Sequence, residues 1–393
     1  MYYKAYRFRI YPDEKQRTLI NKTLGCTRFV YNYFLNIQKE NSYKKANENI
    51  KYYTHHLKYE YPFLQGADSI AINKALFNLE DSYKRFFNKQ SGYPKFKSKF
   101  GKNSYNTTAI YGTYKNNNYC NIEIDLDNKI IKLPKLKKIK IRGYRNTKSI
   151  NGKIISATIS REPNGKFYVS VLYKMSDIIK ETIPSKIVGI DLGVKKLVTL
   201  SDGTEYENNK YILKYEKRIK RMQRALSRKV KESNNYFKCK RKLAILHSKL
   251  ANSRKYYIHK ITKNITDEYD IITCEKLHTK SMIIEGKQTT LSKNINDACF
   301  NEIIKQLKYK SKLKGKQFYQ IYDYYPSSQT CSRCNNQDEK YKDLGERIYD
   351  CTKCYLKLDR DLNASINIMF EGLKMYIKNN KRNILKSNIS MIK

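Results

Sequence analysis

Long apolar runs are absent from the sequence, and none approaches the ~18–20 residues that a membrane-spanning helix requires. The first residues, MYYKAYRFRIYP, also lack the uninterrupted apolar core and the small-residue cleavage site of a signal peptide. These absences argue against the membrane-spanning and secreted classes of protein. We therefore expect a soluble protein that stays in the cytoplasm.

Acidic residues are scarce: 36 Asp and Glu stand against 80 Lys and Arg, which leaves a formal net charge of +44 at pH 7. An excess this large repels itself unless a polyanion neutralises it, so nucleic acid is the first partner to consider. The alternative is compositional drift, because the abundant Lys, Asn, Ile and Tyr are typical of AT-rich coding sequence. Drift would enrich Lys without removing Asp and Glu to this extent, so the composition favours nucleic-acid binding.

Nine cysteines are present: five are scattered and four form two tight pairs, a pattern that favours a metal site over disulfides in a cytosolic protein. Four of them form two pairs, Cys331-x2-Cys334 and Cys351-x2-Cys354, separated by 16 residues. Two such knuckles deliver four thiolates to one tetrahedral Zn²⁺, which is structural in a closed site. The polar loop between them is too poor in apolar residues to fold unaided, so the metal would supply its folding energy. Four unrelated buried cysteines and an iron–sulfur cluster remain as alternatives.

The hydrophobic pattern divides the first half of the chain into β and helical parts. Residues 1–11 alternate as a strand, residues 12–102 carry apolar stripes at helical spacing, and residues 103–182 alternate with period two. The Asn164-Gly165 pair between alternating runs predicts a hairpin. We expect a small antiparallel, β-barrel-like domain built from residues 1–11 and 103–182, with a helical insertion between its strands.

The second half, after Pro184, reads as an α/β domain, so the fold class is α/β plus all-β. A buried strand, a tight link and two further strands are followed by a very basic helical hairpin over residues 210–264. Three carboxylates interrupt apolar surroundings here: Asp191 and Glu275 each end a strand, and Asp361 begins a helix. A lone acid at a strand end is usually a cap or turn residue.

Three converging carboxylates repel one another and are stable together only around a cation. Hard Mg²⁺ takes oxygen ligands and keeps positions open for phosphate and water. Two such ions roughly 4 Å apart can activate an attacking water and stabilise the leaving oxygen of a phosphodiester. The three acids therefore indicate a phosphodiester-hydrolysing metal site.

Motifs along nearly the whole chain resemble those of a known family. The segments VGIDLGVKKLVTL, IITCEKL and DRDLNASINIM resemble the three split motifs of a RuvC nuclease, which has an RNase H-like fold. The segments KAYRFRIYPDEKQ, GCTRFVYNYFL, GYPKFKSK and PSSQTCSRC are similar to those of TnpB. TnpB is the RNA-guided endonuclease of certain insertion sequences and is related to the compact type V CRISPR effectors.

The resemblance implies a catalytic site and its cofactors. Asp191, Glu275 and Asp361 would be the catalytic triad and would hold two Mg²⁺ ions per active site, with Mn²⁺ as a possible substitute. Asp361, rather than the competing Asp359, matches the third acid of the family. Cys331, Cys334, Cys351 and Cys354 would hold one structural Zn²⁺. The family usually has Gly directly after each cysteine pair. Tyr355 occupies that position after the second pair, so we expect the second knuckle to be distorted.

The resemblance also implies a domain plan. The β-domain would be a wedge domain and residues 12–102 a recognition insertion. The RuvC nuclease domain would span residues 183–325 and 357–375, interrupted by the basic hairpin and by a zinc ribbon at 326–356. Residues 376–393 would form a disordered basic tail.

The activity implied is cleavage of double-stranded DNA beside a short adjacent motif, directed by a guide RNA derived from the transposon end. The protein would be bacterial and would associate with the nucleoid when on DNA. Two alternatives remain: a transposase in the strict sense, which joins DNA ends by strand transfer, and a guided DNA-binding protein that does not cut. The nucleic-acid contacts that we expect are Arg7, Arg9, Tyr93, Lys95, Lys97, Lys99, Arg218, Arg221, Arg254 and Lys260.

Overall fold

The architecture comes from a computed structural model, which describes residues 2–40, 50–101, 103–114, 117–143, 150–277, 295, 297–323, 325–343 and 345–391. The chain divides into two compact units, Met1–Ile178 and Ile179–Lys393. Each unit contains its own hydrophobic core. Within the described part of the chain, no helix is both long enough and apolar enough to cross a membrane.

The first unit is built on an antiparallel sheet. Its strands are β1 (Tyr2–Tyr11), β2 (Asn103–Thr108), β3 (Tyr111–Tyr114), β4 (Asn117–Cys120), β5 (Glu123–Asp125), β6 (Ile130–Leu133), β7 (Lys137–Arg142), β8 (Gly152–Arg161) and β9 (Phe167–Met175). Seven of these strands pair in the order β2-β8-β9-β1-β7-β6-β5, while β3 and β4 form a separate hairpin. The N-terminal strand β1 thus lies between β9 and β7. Whether this sheet is barrel-like stays a prediction.

Alternation of side chains explains why these segments form a sheet with one buried face. Phe8 and Ile10 of β1 and Val169 and Val171 of β9 are buried in one cluster, and their neighbours point away from it. The β8–β9 connection turns at Gly165, whose φ of +82° suits glycine. The Asn-Gly hairpin signal in the sequence therefore corresponds to a real hairpin.

Helices of the first unit lie between β1 and β2 in the chain. They are α1 (Glu14–Glu40), α2 (Ile50–Glu60), a 3₁₀ helix (Pro62–Gly66) and α3 (Ser69–Phe87). Asp13 and Gln16 exchange reciprocal side chain-to-backbone hydrogen bonds of 2.8 and 3.0 Å, which form a capping box at the start of α1. The apolar faces of α1 and α3 enclose a second cluster that includes Leu35, Leu64 and Leu79.

The second unit contains a mixed sheet. Its strands are β10 (Ile187–Asp191), β11 (Lys196–Leu200), β12 (Glu205–Glu207), β13 (Ile271–Cys274) and β14 (Gln317–Gln320), followed by the β15 (Ile348–Asp350) and β16 (Lys357–Asp359) hairpin. The five-stranded sheet has the order β12-β11-β10-β13-β14. Strands β10, β11 and β12 run antiparallel, whereas β13 and β14 run parallel to β10.

Helices of the second unit are α4 (Tyr211–Ser227), α5 (Asn234–Glu268), α6 (Phe300–Leu313) and α7 (Arg360–Met391), with a 3₁₀ helix at Glu339–Lys342. Helices α4 and α5 form the basic hairpin, which packs through a small cluster containing Ile219, Leu246 and Leu250. Helix α7 extends to Met391 and so includes most of the predicted tail over 376–393; the disorder of that tail stays a prediction. No Pro or Gly follows Gly372, so nothing in the sequence interrupts the helix.

Candidate active site and zinc centre

Two of the predicted acids lie at the carboxyl ends of neighbouring parallel strands. Asp191 is the last residue of β10, and Glu275 directly follows β13. The register pairs Ile190 with Cys274, so the next residue on each strand is one of the two acids. Parallel pairing therefore brings together two residues that are far apart in the chain.

The third acid, Asp361, reaches the same region from the first turn of α7. Helix α7 packs closely on β10, because Gly189 has no side chain: a Cβ there would lie 2.0 Å from the carbonyl oxygen of Ser365. Burial and the charges of Glu275 and Asp361 together raise the pKa of Asp191 to about 8. The fold thus brings the three predicted carboxylates within electrostatic reach of one another.

The three carboxylates form a set of oxygen ligands that suits a hard cation, because a cation would neutralise their mutual repulsion. All three carboxylates are partly accessible, and burial also raises the pKa of Glu275 above its usual range. Clustered carboxylates with raised pKa values gain from a cation that neutralises their mutual repulsion. Oxygen donors of this type are the ligands that Mg²⁺ prefers.

Asp359, the alternative candidate for the third acid of the site, makes capping and ion-pair contacts instead. Its Oδ1 accepts hydrogen bonds from the backbone N–H groups of Asp361 (2.9 Å) and Leu362 (3.2 Å), so it caps α7. Its Oδ2 accepts one from Lys196 Nζ at 3.0 Å. These contacts outweigh partial burial and lower the pKa of Asp359. Its carboxylate is therefore engaged in capping and ion pairing.

Arg347 is a residue of this site that the sequence analysis missed. Its guanidinium Nη1 lies 3.8 Å from Asp361 Oδ1, and its side chain is 45% exposed. It is held there because the backbone N–H of Arg360 donates to the Arg347 carbonyl at 2.8 Å. The only sequence signal was a cation just before the second cysteine pair. A half-exposed cation beside the acids is suitably placed to contact an anionic substrate.

Glu275 also has a partner outside the sheet. The hydroxyl of Ser327 donates a hydrogen bond to Glu275 Oε1. Ser327 is buried and belongs to the segment that leads into the first cysteine pair. One oxygen of the glutamate is thus held by a residue from the cysteine-rich part of the chain.

The four predicted cysteines form a group that could hold one metal ion. Their four Sγ atoms all lie within 4.8 Å of one another, as the ligand atoms of a single metal ion would. The Sγ atoms of Cys331 and Cys354 are 3.5 Å apart, and those of Cys334 and Cys351 are 3.6 Å apart. Tetrahedral Zn–S bonds of ~2.3 Å predict S···S distances of ~3.8 Å, so the cluster could hold one zinc.

The predicted distortion of the second knuckle is wrong. Asn335 and Tyr355 adopt nearly equal φ values of +60° and +57°. Each donates its backbone N–H to the first cysteine of its pair, at 3.0 Å to Cys331 and 2.9 Å to Cys351. The left-handed conformation costs Tyr355 about 1–2 kcal/mol. Tyr355 is 82% exposed, so its large side chain does not have to be accommodated in the interior.

The predicted nucleic-acid contacts of the first unit lie in two places. Arg7 and Arg9 share one face of β1 and stack on the rings of Tyr168 and Tyr11, and Arg7 also pairs with Glu162. The others lie in the segment after α3. Lys95 and Lys99 are exposed, Lys97 lies 3.7 Å over the ring of Tyr31, and Tyr93 packs on Tyr83 and Phe86.

The predicted contacts of the second unit lie on the basic hairpin, and one of them is engaged elsewhere. Arg218, Arg221 and Lys260 are exposed. Arg254 instead forms a 2.5 Å ion pair with Asp297, whose side chain is 3% exposed. Asp297 also accepts the backbone N–H of Ile212 at 3.2 Å, near the start of α4. We therefore treat Arg254 as a residue that holds the hairpin in place.

Three family models match parts of the chain. One described as "Probable transposase" matches residues 170–285, one described as "Cas12f1-like, TNB domain" matches 300–368, and one described as "Helix-turn-helix domain" matches 1–47. The described residues of this last segment form strand β1 followed by one helix, α1. The matches cover both the carboxylate site and the cysteine cluster.

Several proteins are similar to this chain over most of its length. "Putative RNA-guided DNA endonuclease InsQ" of Escherichia coli K12 is 31% identical over 94% of this chain and 92% of its own. "Putative RNA-guided DNA endonuclease" of Streptomyces pristinaespiralis is 29% identical over 94% of this chain and 89% of its own. "TnpB-like protein L79" of Acanthamoeba polyphaga mimivirus is 29% identical over 36% of this chain and 27% of its own. At this identity and coverage, the chain belongs to the TnpB family.

Proposed function

We propose that the protein is an RNA-guided DNA endonuclease that hydrolyses phosphodiester bonds at Asp191, Glu275 and Asp361. The observation that carries the proposal is the convergence of these acids, since the charges of Glu275 and Asp361 help to raise the pKa of Asp191. Relatives named as RNA-guided DNA endonucleases support the activity. Guide RNA and double-stranded target DNA would be its partners.

The sheet of the second unit supports assignment to the RNase H-like class, with a RuvC-type site. An antiparallel β10–β12 meander is extended by β13 and β14, which run parallel to β10. In open sheets with parallel strands, sites form beyond the carboxyl ends of the strands. Asp191 and Glu275 both lie at such ends.

Two Mg²⁺ ions held by the three carboxylates would supply an activated water and neutralise charge on the leaving oxygen. The chain's own residues would then orient the substrate. Arg347, 3.8 Å from Asp361, would contact a phosphate oxygen of the scissile strand and offset its charge. Asp359 would keep the first turn of α7 in place through its two capping hydrogen bonds.

Nucleic-acid binding would draw on the net charge of +44. The exposed Arg218, Arg221 and Lys260 of the basic hairpin would contact phosphates, as would Lys95 and Lys99 in the first unit. The first unit, with its wedge sheet and recognition helices, would recognise the short motif beside the target. Base pairing with a guide RNA from the transposon end would read the rest of the target.

The test is cleavage of a plasmid that carries the matching target, in Mg²⁺, by protein purified with the RNA encoded at its own locus. Asp191→Ala should abolish cleavage and leave RNA binding intact, because the carboxylates hold metal and not the guide. Products should be free ends with 5′ phosphates. Joined DNA ends would instead identify a transposase, and guided binding without a Mg²⁺-dependent cut would identify a non-cleaving protein.

Asp359 and Asp361 provide a matched pair of variants, two residues apart at the same helix start. Asp361→Asn should abolish cleavage, because the amide is a poor ligand for the metal. Asp359→Asn should keep it, because Asn caps a helix about as well as Asp. Loss of activity in Asp359→Asn with full activity in Asp361→Asn would overturn our assignment of the third acid.

A further inference from the structure

A hydrogen bond joins the cysteine-rich segment to the carboxylate site. Ser327, whose hydroxyl donates to Glu275 Oε1, is 5% exposed and lies four residues before Cys331. Glu275 directly follows β13 and so lies just beyond the residues that pair β13 with β10 and β14. The orientation of this glutamate therefore depends on where the cysteine-rich segment places Ser327.

Two asparagines of α7 hold the segment that contains Ser327. Asn367 Nδ2 donates to the carbonyl oxygens of Ser327 (2.8 Å) and Thr330 (2.6 Å). Asn363, one turn earlier, donates to the Thr330 carbonyl at 2.7 Å and accepts the backbone N–H of Ser332 at 3.0 Å. Both asparagines are buried on the helix that begins with Asp361.

The segment is tied equally closely to the metal-binding cysteines. Cys331 lies between Thr330 and Ser332, and its backbone N–H donates to the Asn336 carbonyl at 2.8 Å. The hydroxyl of Tyr349, beside Cys351, donates to the carbonyl oxygens of Gln329 (3.1 Å) and Asn336 (3.2 Å). A zinc that joins the two cysteine pairs would thus fix the segment on both sides of Thr330.

We propose that Ser327 is a positioning residue that fixes Glu275, and that zinc at the four cysteines thereby organises the carboxylate site. A hydrogen bond to one carboxylate oxygen limits rotation of the glutamate and leaves its second oxygen for a cation. Partners of this kind orient metal ligands, and their loss typically costs about 10–100-fold in metal affinity. The inference rests on the proposed function, because it concerns the same carboxylates.

The test measures Mn²⁺ binding by electron paramagnetic resonance on the full-length, zinc-loaded chain, with the carboxylate site defined as the binding lost in Asp191→Ala. Ser327→Ala should weaken that binding about 10–100-fold. Ser327→Thr, which keeps the hydroxyl, should restore much of it. Ser332→Ala is the matched control, since its backbone contacts Asn363 and no hydrogen bond of its hydroxyl to the three acids is present among the described residues.

Zinc content and thermal melting of the same samples separate positioning from folding. We expect Ser327→Ala to keep its zinc and its melting transition, and we expect zinc removal from the wild type to weaken Mn²⁺ binding as the variant does. Wild-type Mn²⁺ affinity in Ser327→Ala would overturn the proposal. So would loss of zinc or of the melting transition in that variant, since the serine would then act on folding. Failure of the proposed function is distinct, because Asp191→Ala would then cleave normally.

Discussion

Gly189 of β10 is the position at which one added carbon should separate Asp191 from Asp361, two of the proposed catalytic acids. A Cβ built there would lie 2.0 Å from the Ser365 carbonyl oxygen, 2.5 Å from the backbone nitrogen of Met369 and 2.9 Å from its Cα. All three are backbone atoms of α7, so no side chain can rotate away. Gly189→Ala therefore has to push α7 away from β10 or bend one of them.

The size of the effect follows from these distances. Non-bonded carbon atoms pack at about 3.5–4.0 Å, so relief of the clash requires a shift of about 1 Å or more. Overpacking of this kind costs roughly 1–3 kcal/mol of folding free energy. Asp361 lies one turn before Ser365 on α7, and Asp191 lies two residues after Gly189 on β10. A misplacement of about 1 Å between reacting groups can cost about 100-fold in rate.

The assay compares single-turnover cleavage by wild type and Gly189→Ala at saturating guide RNA, with thermal melting of both proteins. Gly25→Ala is the control, because nothing lies within 4 Å of a Cβ at Gly25 in helix α1. Alanine there should stabilise the helix by about 1 kcal/mol. Cleavage at the wild-type rate by a folded Gly189→Ala protein would refute the view that this close packing aligns the two acids.

Three further changes test other parts of the site. Arg347→Ala should lower the single-turnover rate about 100-fold without loss of RNA binding, because an oriented cation is removed from the substrate phosphate; an unchanged rate would contradict this role. In magnesium-free buffer, Asp191→Asn should raise the melting temperature, more at about pH 8 than at about pH 5. In the folded protein the pKa of Asp191 is about 8, whereas in the unfolded chain it is about 4. The folded state therefore holds the proton more tightly, and the stability of the wild type falls as the pH rises from about 4 to about 8. Cys351→Ser should lose bound zinc, measured by elemental analysis, and retention of a full equivalent would exclude the four-cysteine site.

The carboxylates and cysteines could be found from the sequence because each leaves a local signal. Asp191 and Glu275 each stand at the end of an apolar run, and a charged residue there interrupts the pattern visibly. The spacing of the two C-x2-C pairs is enough to predict a metal site. The capping role of Asp359 is also local, since it contacts residues only two and three positions away.

Arg347, Ser327 and Arg254 could not be assigned from the sequence, because their partners are distant in the chain. Arg347 meets Asp361 only because β15 and β16 form a hairpin, and Ser327 meets Glu275 across 52 residues. The sequence places Arg254 on a basic helix but gives no sign of its ion pair with Asp297, which is 43 residues away. Local pattern cannot distinguish a phosphate contact from an internal ion pair.

Helix α7 contacts both the four-cysteine segment and the carboxylate site, so we expect a change at one of them to affect the other. Asn367, which holds Ser327, lies between Ser365 and Met369, the two residues that pack on Gly189. A shift of this turn therefore moves Asp361 relative to Asp191 and, through Ser327, Glu275 as well. Substitutions at Gly189 and Ser327 should consequently be non-additive, because they act on one shared element. We therefore expect the four-cysteine segment and the carboxylate site to behave as one coupled unit rather than as two independent sites.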